Sequence, residues 1–272
     1  MRHFRPVERV SSWRRMALHA WGAPSDPTVH GLLDVDATEA LAFVRELRAK
    51  SGERITLTHL VGHAVARAIA QQPDVNAIVR FGRLYQRDTI DVFFQVAFGG
   101  GGNLAGHKVE RADQKGVAAI ARELGEGASK VRDGRAENVK TTQRFTHMPA
   151  PIMGLALRAA SLLTYDLGVD LSAYGVPFDS FGSAMVTNVG SFGLTVGLPP
   201  LLPISRCPLV VLVGEVQDRP VARDGAVMVR PVLPIGVTFD HRLLDGFHAG
   251  VLAKEFRRVL ENPREVLADE LA

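Results

Sequence analysis

The order of strand-like and helix-like segments restricts the fold of this chain more than any other feature of its sequence. Short apolar runs with strand character cover residues 29–35, 77–81, 90–98, 103–109, 184–188, 209–216 and 226–239. Apolar residues at helical spacing cover residues 7–21, 37–50, 56–72, 114–132, 152–166 and 243–260. Because strands and helices do not alternate regularly, the pattern favours a two-layer α/β sandwich over a doubly wound sheet.

Turn-forming residues mark the connections between these segments. Four glycines at 99–102 separate two predicted strands, and no Gly-x-Gly-x-x-Gly pattern opens a helix there. We interpret them as a flexible turn and not as a dinucleotide site. Asp224 and Gly225 predict a hairpin turn, and residues 136–181 break the pattern around one apolar helix. We therefore expect a single domain over residues 1–272 with an inserted helical segment at about 136–181.

Charge and hydropathy argue against several classes of function. The 32 basic and 29 acidic side chains give a net charge of +3, and no aromatic residues interleave with the basic ones, so we expect no nucleic-acid partner. The longest apolar stretch, at 152–167, contains Arg158 and Asp166 and is shorter than the roughly 20 residues that cross a bilayer. The basic N-terminus has no apolar core typical of a secretory signal, so we expect a cytoplasmic protein that does not enter the membrane.

The cysteine and histidine content argues against a disulfide or a metal site. Cys207 is the only cysteine, so no internal disulfide or multi-thiolate zinc site can form, and the apolar run after it indicates a packed thiol. His59 and His63 lie four residues apart on a predicted helix, a spacing that zinc can use. No acidic or cysteine partner lies near them in the sequence, and we expect no metal ion.

His241 stands where the predicted strand 226–239 ends and the helix 243–260 begins. Such a position holds a side chain rigidly and lets it project into a cleft. Histidine, with an ordinary pKa of about 6.5, suits a general base, and neutral imidazole can take the proton of a thiol whose pKa is about 8.5. Taken alone, however, a histidine between charged neighbours is more often a capping or packing residue, and Thr187 is an ordinary strand residue.

The residues around His241 form a motif that is more specific than the histidine alone. The segment DHRLLDG, residues 240–246, resembles the signature of the dihydrolipoamide acyltransferase catalytic domains of 2-oxoacid dehydrogenase complexes, which are relatives of chloramphenicol acetyltransferase. Other segments resemble the same family in the same order: RVSSWRRM with Arg9 and Met16, PDVNA at 73–77, ADQKGVAAIARELGEGASKVRDG at 112–134, and SAMVTNVGSFG at 183–193. Together they cover most of the chain outside residues 136–181.

The resemblance implies a chloramphenicol acetyltransferase-like sandwich, with helices on one face of a mixed sheet, and an acyltransferase activity. In that family the histidine takes the proton from the thiol of dihydrolipoamide or coenzyme A, and a serine or threonine hydroxyl donates a hydrogen bond to the tetrahedral oxyanion. At the matching positions His241 is the base and Thr187 is the oxyanion donor. Asp245, the third residue of the implied site, would be a partly buried carboxylate that pairs with an N-terminal arginine, for which Arg9 is the candidate.

Further residues of the matching segments are implied to support the site. Asn188, Gly190 and Gly246 have structural roles in this interpretation, since glycines allow a tight turn beside the catalytic strand. Arg242 is either a surface charge or a local brace. Substrate-binding residues are not assigned, because GNLAGHKV at 102–109 replaces the family's Gly-Leu-Ile-x-Pro-Val strand and acyl specificity cannot be carried over.

The resemblance also implies partners. The family builds its active sites between the subunits of a trimer, so we expect a homotrimer, and larger assemblies of trimers occur in the family. Coenzyme A or acyl-coenzyme A is the implied substrate, and a lipoyl group would come from a lipoyl domain on another chain, because the sequence contains no lipoyl or subunit-binding domain. Two alternatives stay open: an acyl-coenzyme A-dependent transferase acting on a hydroxyl or amine of a small molecule, and a non-catalytic trimeric scaffold.

Overall fold

The computed structural model describes residues 11–13, 16, 26–98, 103–132, 149–223 and 225–271. Arg9, Asp224 and the glycine turn at 99–102 lie outside these residues, as does most of the predicted helix at 7–21. All other predicted strands and helices fall within the described part of the chain.

Nine strands occur in the described residues, and seven of them form one mixed sheet. They are β1 (Thr28–Asp36), β2 (Ala77–Arg80), β3 (Arg83–Gln86), β4 (Val92–Phe98), β5 (Asn103–Val109), β6 (Ala184–Asn188), β7 (Leu209–Val213), β8 (Gln217–Arg223) and β9 (Ala226–Asp240). The sheet order is β1-β9-β7-β6-β4-β5, β8 also pairs with β9, and β2 and β3 form a separate hairpin. Because β4, β6 and β7 pair in parallel and the other strands pair antiparallel, the predicted mixed sheet is confirmed.

The predicted helices are confirmed to within a few residues wherever the structure describes them. The first helix, α1 (Thr38–Ser51), is capped at its C-terminus by Gly52, whose φ of 71° lies in the left-handed region that favours glycine. No helix in the described ranges is long and apolar enough to cross a membrane. The helices are α1 (Thr38–Ser51), α2 (Leu57–Gln71), α3 (Val117–Arg132), α4 (Ala150–Ser161), α5 (Gly246–Glu261), α6 (Pro263–Val266) and α7 (Ala268–Leu271).

Helices α1, α2, α3 and α5 cover one face of the sheet, as the resemblance implies. Alternate strand side chains, among them Val211, Ile235 and Phe239, lie in one buried apolar cluster with residues from all four helices. Gly62 on α2 permits this close approach, because a Cβ there would lie 2.0 Å from the ring of Phe94. Burial of this apolar surface supplies the main favourable free energy of folding.

The opposite face of the sheet carries a smaller buried cluster. The segment 190–206 crosses this face so closely that a Cβ at Gly236 would lie 1.9 Å from the carbonyl oxygen of Gly197. Burial raises the pKa of the Cys207 thiol to about 12, so the predicted packed thiol is confirmed and stays protonated at neutral pH. The cluster consists of Phe93, Met185, Cys207 and Val210.

The chain between 149 and 182 is tied to the sandwich by two arginine–carboxylate pairs. Arg87 Nε donates to Asp179 Oδ2 at 2.7 Å, and its Nη2 donates to Asp179 Oδ1 at 3.2 Å. Arg206 Nη2 donates to Asp166 Oδ2 at 2.6 Å, and Arg80 donates to the carbonyl oxygen of Asp166 at 2.8 Å. These contacts connect α4 and the loops after it to β2, to the residue that follows β3, and to the loop before β7.

We expect Asp179→Asn to destabilise the fold by about 3 kcal/mol, because it leaves the guanidinium of Arg87, whose side chain is 8% exposed, without its counter-charge. Asparagine tolerates the left-handed backbone at this position, where φ is 43°. Denaturant unfolding followed by circular dichroism measures the change in the free energy of unfolding. Arg264→Ala is the control, because it removes only exposed contacts to Glu39 and Glu46. A loss at Asp179 no larger than at Arg264 would contradict the buried pair.

Candidate active site

His241 lies directly after β9, at one end of the sheet. Its backbone N–H donates to the carbonyl oxygen of Pro27 at 2.8 Å, which extends by one residue the ladder in which Asp240 pairs with Thr28. The histidine side chain is exposed, and its ring centroid lies 6.4 Å from that of Phe239. The backbone is therefore fixed by strand pairing while the imidazole stays accessible to a substrate.

The residues on either side of His241 form an ion pair. Arg242 donates to both carboxylate oxygens of Asp240 at 2.6–3.1 Å, and the backbone N–H of Arg242 donates to Asp240 Oδ1 at 2.9 Å. Hydrogen bonding to Asp240 raises the pKa of Arg242. Asp240 is only 8% exposed, so this pair holds the turn that carries His241. Of the two roles left open for Arg242, the structure shows the local brace.

Asp245 caps the N-terminus of α5. Its Oδ1 accepts hydrogen bonds from the backbone N–H of Phe247 at 2.9 Å and of His248 at 3.1 Å, and it contacts His248 Nδ1 at 2.8 Å. The His248 N–H hydrogen bond lowers the pKa of Asp245. The side chain is 55% exposed, so the implied partly buried carboxylate is wrong for this chain taken singly. Its implied partner, Arg9, lies outside the described residues.

Thr187 lies near the end of β6, half-buried. Since neighbouring Val186 lies in the helix-side cluster, strand alternation places Thr187 on the opposite face. Asn188 Nδ2 donates to Thr58 Oγ1 at 2.7 Å, and Asn188 Oδ1 accepts the backbone N–H of Ser191 at 3.2 Å. Asn188 thus ties the turn after Thr187 to the first turn of α2.

Gly190 makes the predicted tight turn. A Cβ at this position would lie 2.5 Å from the carbonyl oxygen of Gly214, so only glycine fits without a shift of the backbone. Gly246 is the first residue of α5. A Cβ added there would meet no atom within 4 Å, so contacts within one chain do not require glycine at this position.

One chain does not bring His241 and Thr187 together. Thr187 pairs with Leu212 of β7, which pairs with Gly236 of β9, five residues before His241. With a rise of about 3.3 Å per residue and about 4.8 Å between strands, the two residues lie on the order of 19 Å apart. A general base and an oxyanion donor must each lie within about 3 Å of their reacting atoms. A site that uses both side chains therefore combines two copies of the chain.

An open cavity of about 530 Å³ lies beside Asn188, between α1 and α2. Arg45 and Arg48 line it together with the hydroxyl-bearing residues Thr56 and Thr58. Arg48 Nε donates to the carbonyl oxygen of Ile55, and Arg45 is exposed. Two guanidinium groups and two hydroxyls suit an anionic group such as a phosphate. No sequence pattern predicted this cavity, although arginines three residues apart on one helix were a visible signal.

His59 and His63 hydrogen-bond to different partners. The Thr56 backbone N–H donates to His59 Nδ1 at 3.0 Å, and His63 Nδ1 donates to the Lys115 carbonyl oxygen at 3.0 Å. Burial lowers the pKa of each imidazole to about 4. The described residues contain no group of three or more potential metal ligands.

A family model supplies the decisive comparison. The model of the 2-oxoacid dehydrogenases acyltransferase catalytic domain matches residues 12–145 and 180–268. The chain belongs to this acyltransferase family. The resemblance seen in the sequence is confirmed, and residues 146–179 are the internal part of this acyltransferase domain that the model does not match.

Individual relatives agree with the family. The mitochondrial dihydrolipoyllysine-residue succinyltransferase of the 2-oxoglutarate dehydrogenase complex from Saccharomyces cerevisiae is 26% identical over 224 residues, which are 82% of this chain and 39% of the yeast protein. The acyltransferase domain thus spans about two fifths of that relative's length. Chloramphenicol acetyltransferase superposes with a TM-score of 0.50 at 14% identity, covering 86% of this chain and 89% of that one, which supports the predicted fold.

The dihydrolipoamide acetyltransferase of Azotobacter vinelandii has the same fold. It superposes with a TM-score of 0.67 at 21% identity, covering 96% of this chain and 94% of that one. For that enzyme a serine, a histidine and an asparagine have been investigated for their role in the catalytic mechanism. Its asparagine follows the histidine by four residues, the spacing between His241 and Asp245 here.

We expect the Asn188–Thr58 hydrogen bond to contribute about 1 kcal/mol of coupling free energy, because the donor and the acceptor are both partly buried. A double-mutant cycle of Asn188→Ala and Thr58→Val, followed by denaturant unfolding, measures it. Asn188→Asp is the matched control, since its carboxylate still accepts from Ser191 N–H and from the Thr58 hydroxyl. Additive effects of the two substitutions would contradict the contact.

Proposed function

We propose that the chain transfers an acyl group between coenzyme A and a thiol such as dihydrolipoamide, at sites shared by neighbouring copies. His241 is the general base, and Thr187 of the adjacent copy is the oxyanion donor. The observation that carries this proposal is the geometry of the motif: His241 and Thr187 lie at opposite ends of one sheet, each on a backbone fixed by strand pairing.

His241 is suited to move the proton in this reaction. The imidazole takes the proton of the attacking thiol, the sulfur forms a bond to the thioester carbonyl carbon, and the carbonyl oxygen becomes an oxyanion. The intermediate collapses by breaking the bond to the original sulfur, which takes the proton back from the imidazolium. A positioned base of this kind contributes roughly 10²- to 10⁴-fold in rate. The exposed ring and the braced backbone of His241 support this role.

Thr187 is suited to stabilise the oxyanion. Its hydroxyl donates a hydrogen bond to the negative oxygen, a contribution of roughly 10²- to 10³-fold in rate for one such donor. The serine investigated in the Azotobacter vinelandii enzyme precedes its histidine by 52 residues, and Thr187 precedes His241 by 54. Threonine keeps the hydroxyl of that serine. Asp245 stands at the spacing of the asparagine, and its carboxylate supports the turn by capping α5.

A second copy of the chain is needed to complete the site, and we propose a homotrimer. The segment that follows Thr187 exposes a row of large apolar side chains, which in a single chain face water. Exposed apolar surface of this extent marks protein interfaces. The row consists of Phe192, Leu194, Val196, Leu198 and Leu202, which are 42–58% exposed.

The cavity beside Asn188 supports coenzyme A as the thiol carrier. Arg45 and Arg48 supply positive charge for its phosphate groups next to the strand that bears Thr187. The acyl group then arrives either as acyl-coenzyme A or on a lipoyl domain of another chain. Assembly beyond the trimer, membership of a dehydrogenase complex and cytoplasmic location stay predictions.

We expect His241→Ala and Thr187→Ala each to lower kcat by at least about 10²-fold, because the first removes the general base and the second removes the oxyanion donor. When equal amounts of these two variants are unfolded and refolded together, the copies mix at random in a cyclic trimer. An intact histidine then meets an intact threonine in about a quarter of the interfaces. Activity should therefore recover to about that fraction of the wild-type value. Acyl transfer from acyl-coenzyme A to dihydrolipoamide, followed by release of coenzyme A, measures it.

The control for this mixing experiment is His107→Gln, which alters a histidine on the far edge strand β5. It should keep wild-type activity, and because it retains both site residues, its 1:1 mixture with either inactive variant should show about half of the wild-type activity. Full loss in the mixture, with trimers present, would contradict the shared site. Transfer to alcohols or amines without transfer to dihydrolipoamide would contradict the thiol acceptor.

We expect Arg45→Ala to raise KM for acyl-coenzyme A about tenfold at nearly constant kcat, because it removes a charge-assisted phosphate contact remote from the reacting atoms. KM for the matching acyl-pantetheine, which has no nucleotide, should stay unchanged. Arg83→Ala is the control, since this arginine is exposed on β3. Initial-rate kinetics measure both constants. An equal rise in KM for both substrates would rule out a phosphate contact at Arg45.

A further inference from the structure

Helix α4 exposes a continuous apolar stripe. Ile152, Leu155 and Ala159 of α4 and Leu162, which directly follows it, are all exposed and are spaced at i, i+3, i+7 and i+10, so they share one side. The three large side chains are 55%, 69% and 47% exposed. This spacing is the one with which helices pack against another protein surface.

The stripe is presented in a fixed position. Ser161, at the C-terminal end of α4, donates from Oγ to the carbonyl oxygen of Ile204 at 3.1 Å. The pairs Arg87–Asp179 and Arg206–Asp166 hold the chain that follows. The family model does not match residues 146–179, so the stripe belongs to this chain and not to the common family surface.

The C-terminal end of α4 lies near the end of the apolar row that follows Thr187, because Ser161 bonds to Ile204, two residues beyond Leu202. The turn at Pro203–Ser205, on which α4 packs, comes directly after Leu202, the last residue of that row. A copy that covers the row therefore extends onto α4 if it covers a continuous area. The five side chains of the row and the three large side chains of the stripe make eight in total. At roughly 100 Å² for each half-exposed side chain they expose on the order of 800 Å², about what one partner buries in a stable interface.

The composition of α4 favours a protein partner over a lipid surface. Helices that lie on membranes carry several lysines or arginines on their polar face. Residues 150–161 contain one charged side chain, Arg158. We propose that the stripe on α4 is a self-association surface, covered by a second copy of this chain. This inference rests on the proposed function, since it extends the subunit contact that the shared site requires.

Thiol labelling of the purified chain tests the coverage of α4 directly. Leu155→Cys places a thiol in the middle of the stripe, and Val227→Cys places a control thiol on the β8–β9 hairpin, where Val227 is 77% exposed. Cys207 does not interfere, because it is 5% exposed. In protein that sediments as an oligomer, the thiol at position 155 should react with maleimide at least tenfold more slowly than the one at 227. The two rates should converge on dilution to monomer.

A second pair of variants tests the energetic contribution. Leu155→Asp should raise the dissociation constant of the oligomer at least tenfold in sedimentation velocity, because it places a charge in an apolar contact, and Val227→Asp should not. Equal labelling rates at 155 and 227 in sedimenting oligomers would overturn the inference, and so would monomers at every concentration.

Acyl transfer, measured on the same samples, separates this inference from the proposed function. Oligomers that transfer acyl groups and leave position 155 reactive overturn the inference and leave the proposed function standing. Oligomers that protect position 155 but transfer no acyl group from any acyl-coenzyme A support the inference and contradict the proposed function.

Discussion

The pairing of β9 along both of its edges fixes the geometry on which the rest of the structure depends. Over its fifteen residues β9 bonds to β1 on one edge and to β7 and β8 on the other, so its register is set by three neighbours. The same ladder fixes where Thr187 and His241 stand relative to each other, because a sheet cannot slip by one residue without turning its apolar face to water. The proposed shared site rests on this register.

The site combines rigid backbone with accessible side chains. His241 is exposed, but the residue before it is buried and the residue after it closes an ion pair around it. Asn188 does the same for the turn after Thr187 through its bonds to Thr58 and Ser191. Functional groups held in this way lose little conformational entropy when a substrate binds, which is the physical content of preorganisation.

Sequence patterns predicted most of the fold, and their failures have physical causes. β8 is polar, contains Pro220 and pairs with one neighbour, so it lacks the apolar run by which β7 and β9 were recognised. β3 is four exposed residues long and has no buried face. Strong periodicity predicted α1, α2 and α5 because each buries one face in the core.

Prediction of the site was limited by contacts between distant segments. The roles of His241 and Thr187 came from the resemblance and not from periodicity. The cavity at Arg45 forms only when α1 and α2 meet, which no local pattern encodes. The cap at Asp245 was a missed local signal, since an aspartate followed by a histidine that bonds back is a capping-box arrangement.

The two arginine–carboxylate pairs limit how this chain could be shortened. Excising residues 149–182 to resemble the common family domain would remove Asp166 and Asp179 together and leave the guanidinium groups of Arg206 and Arg87 without their carboxylate partners. The extra segment and its two anchoring arginines thus form one structural unit. A viable deletion would have to replace both arginines with apolar residues at the same time.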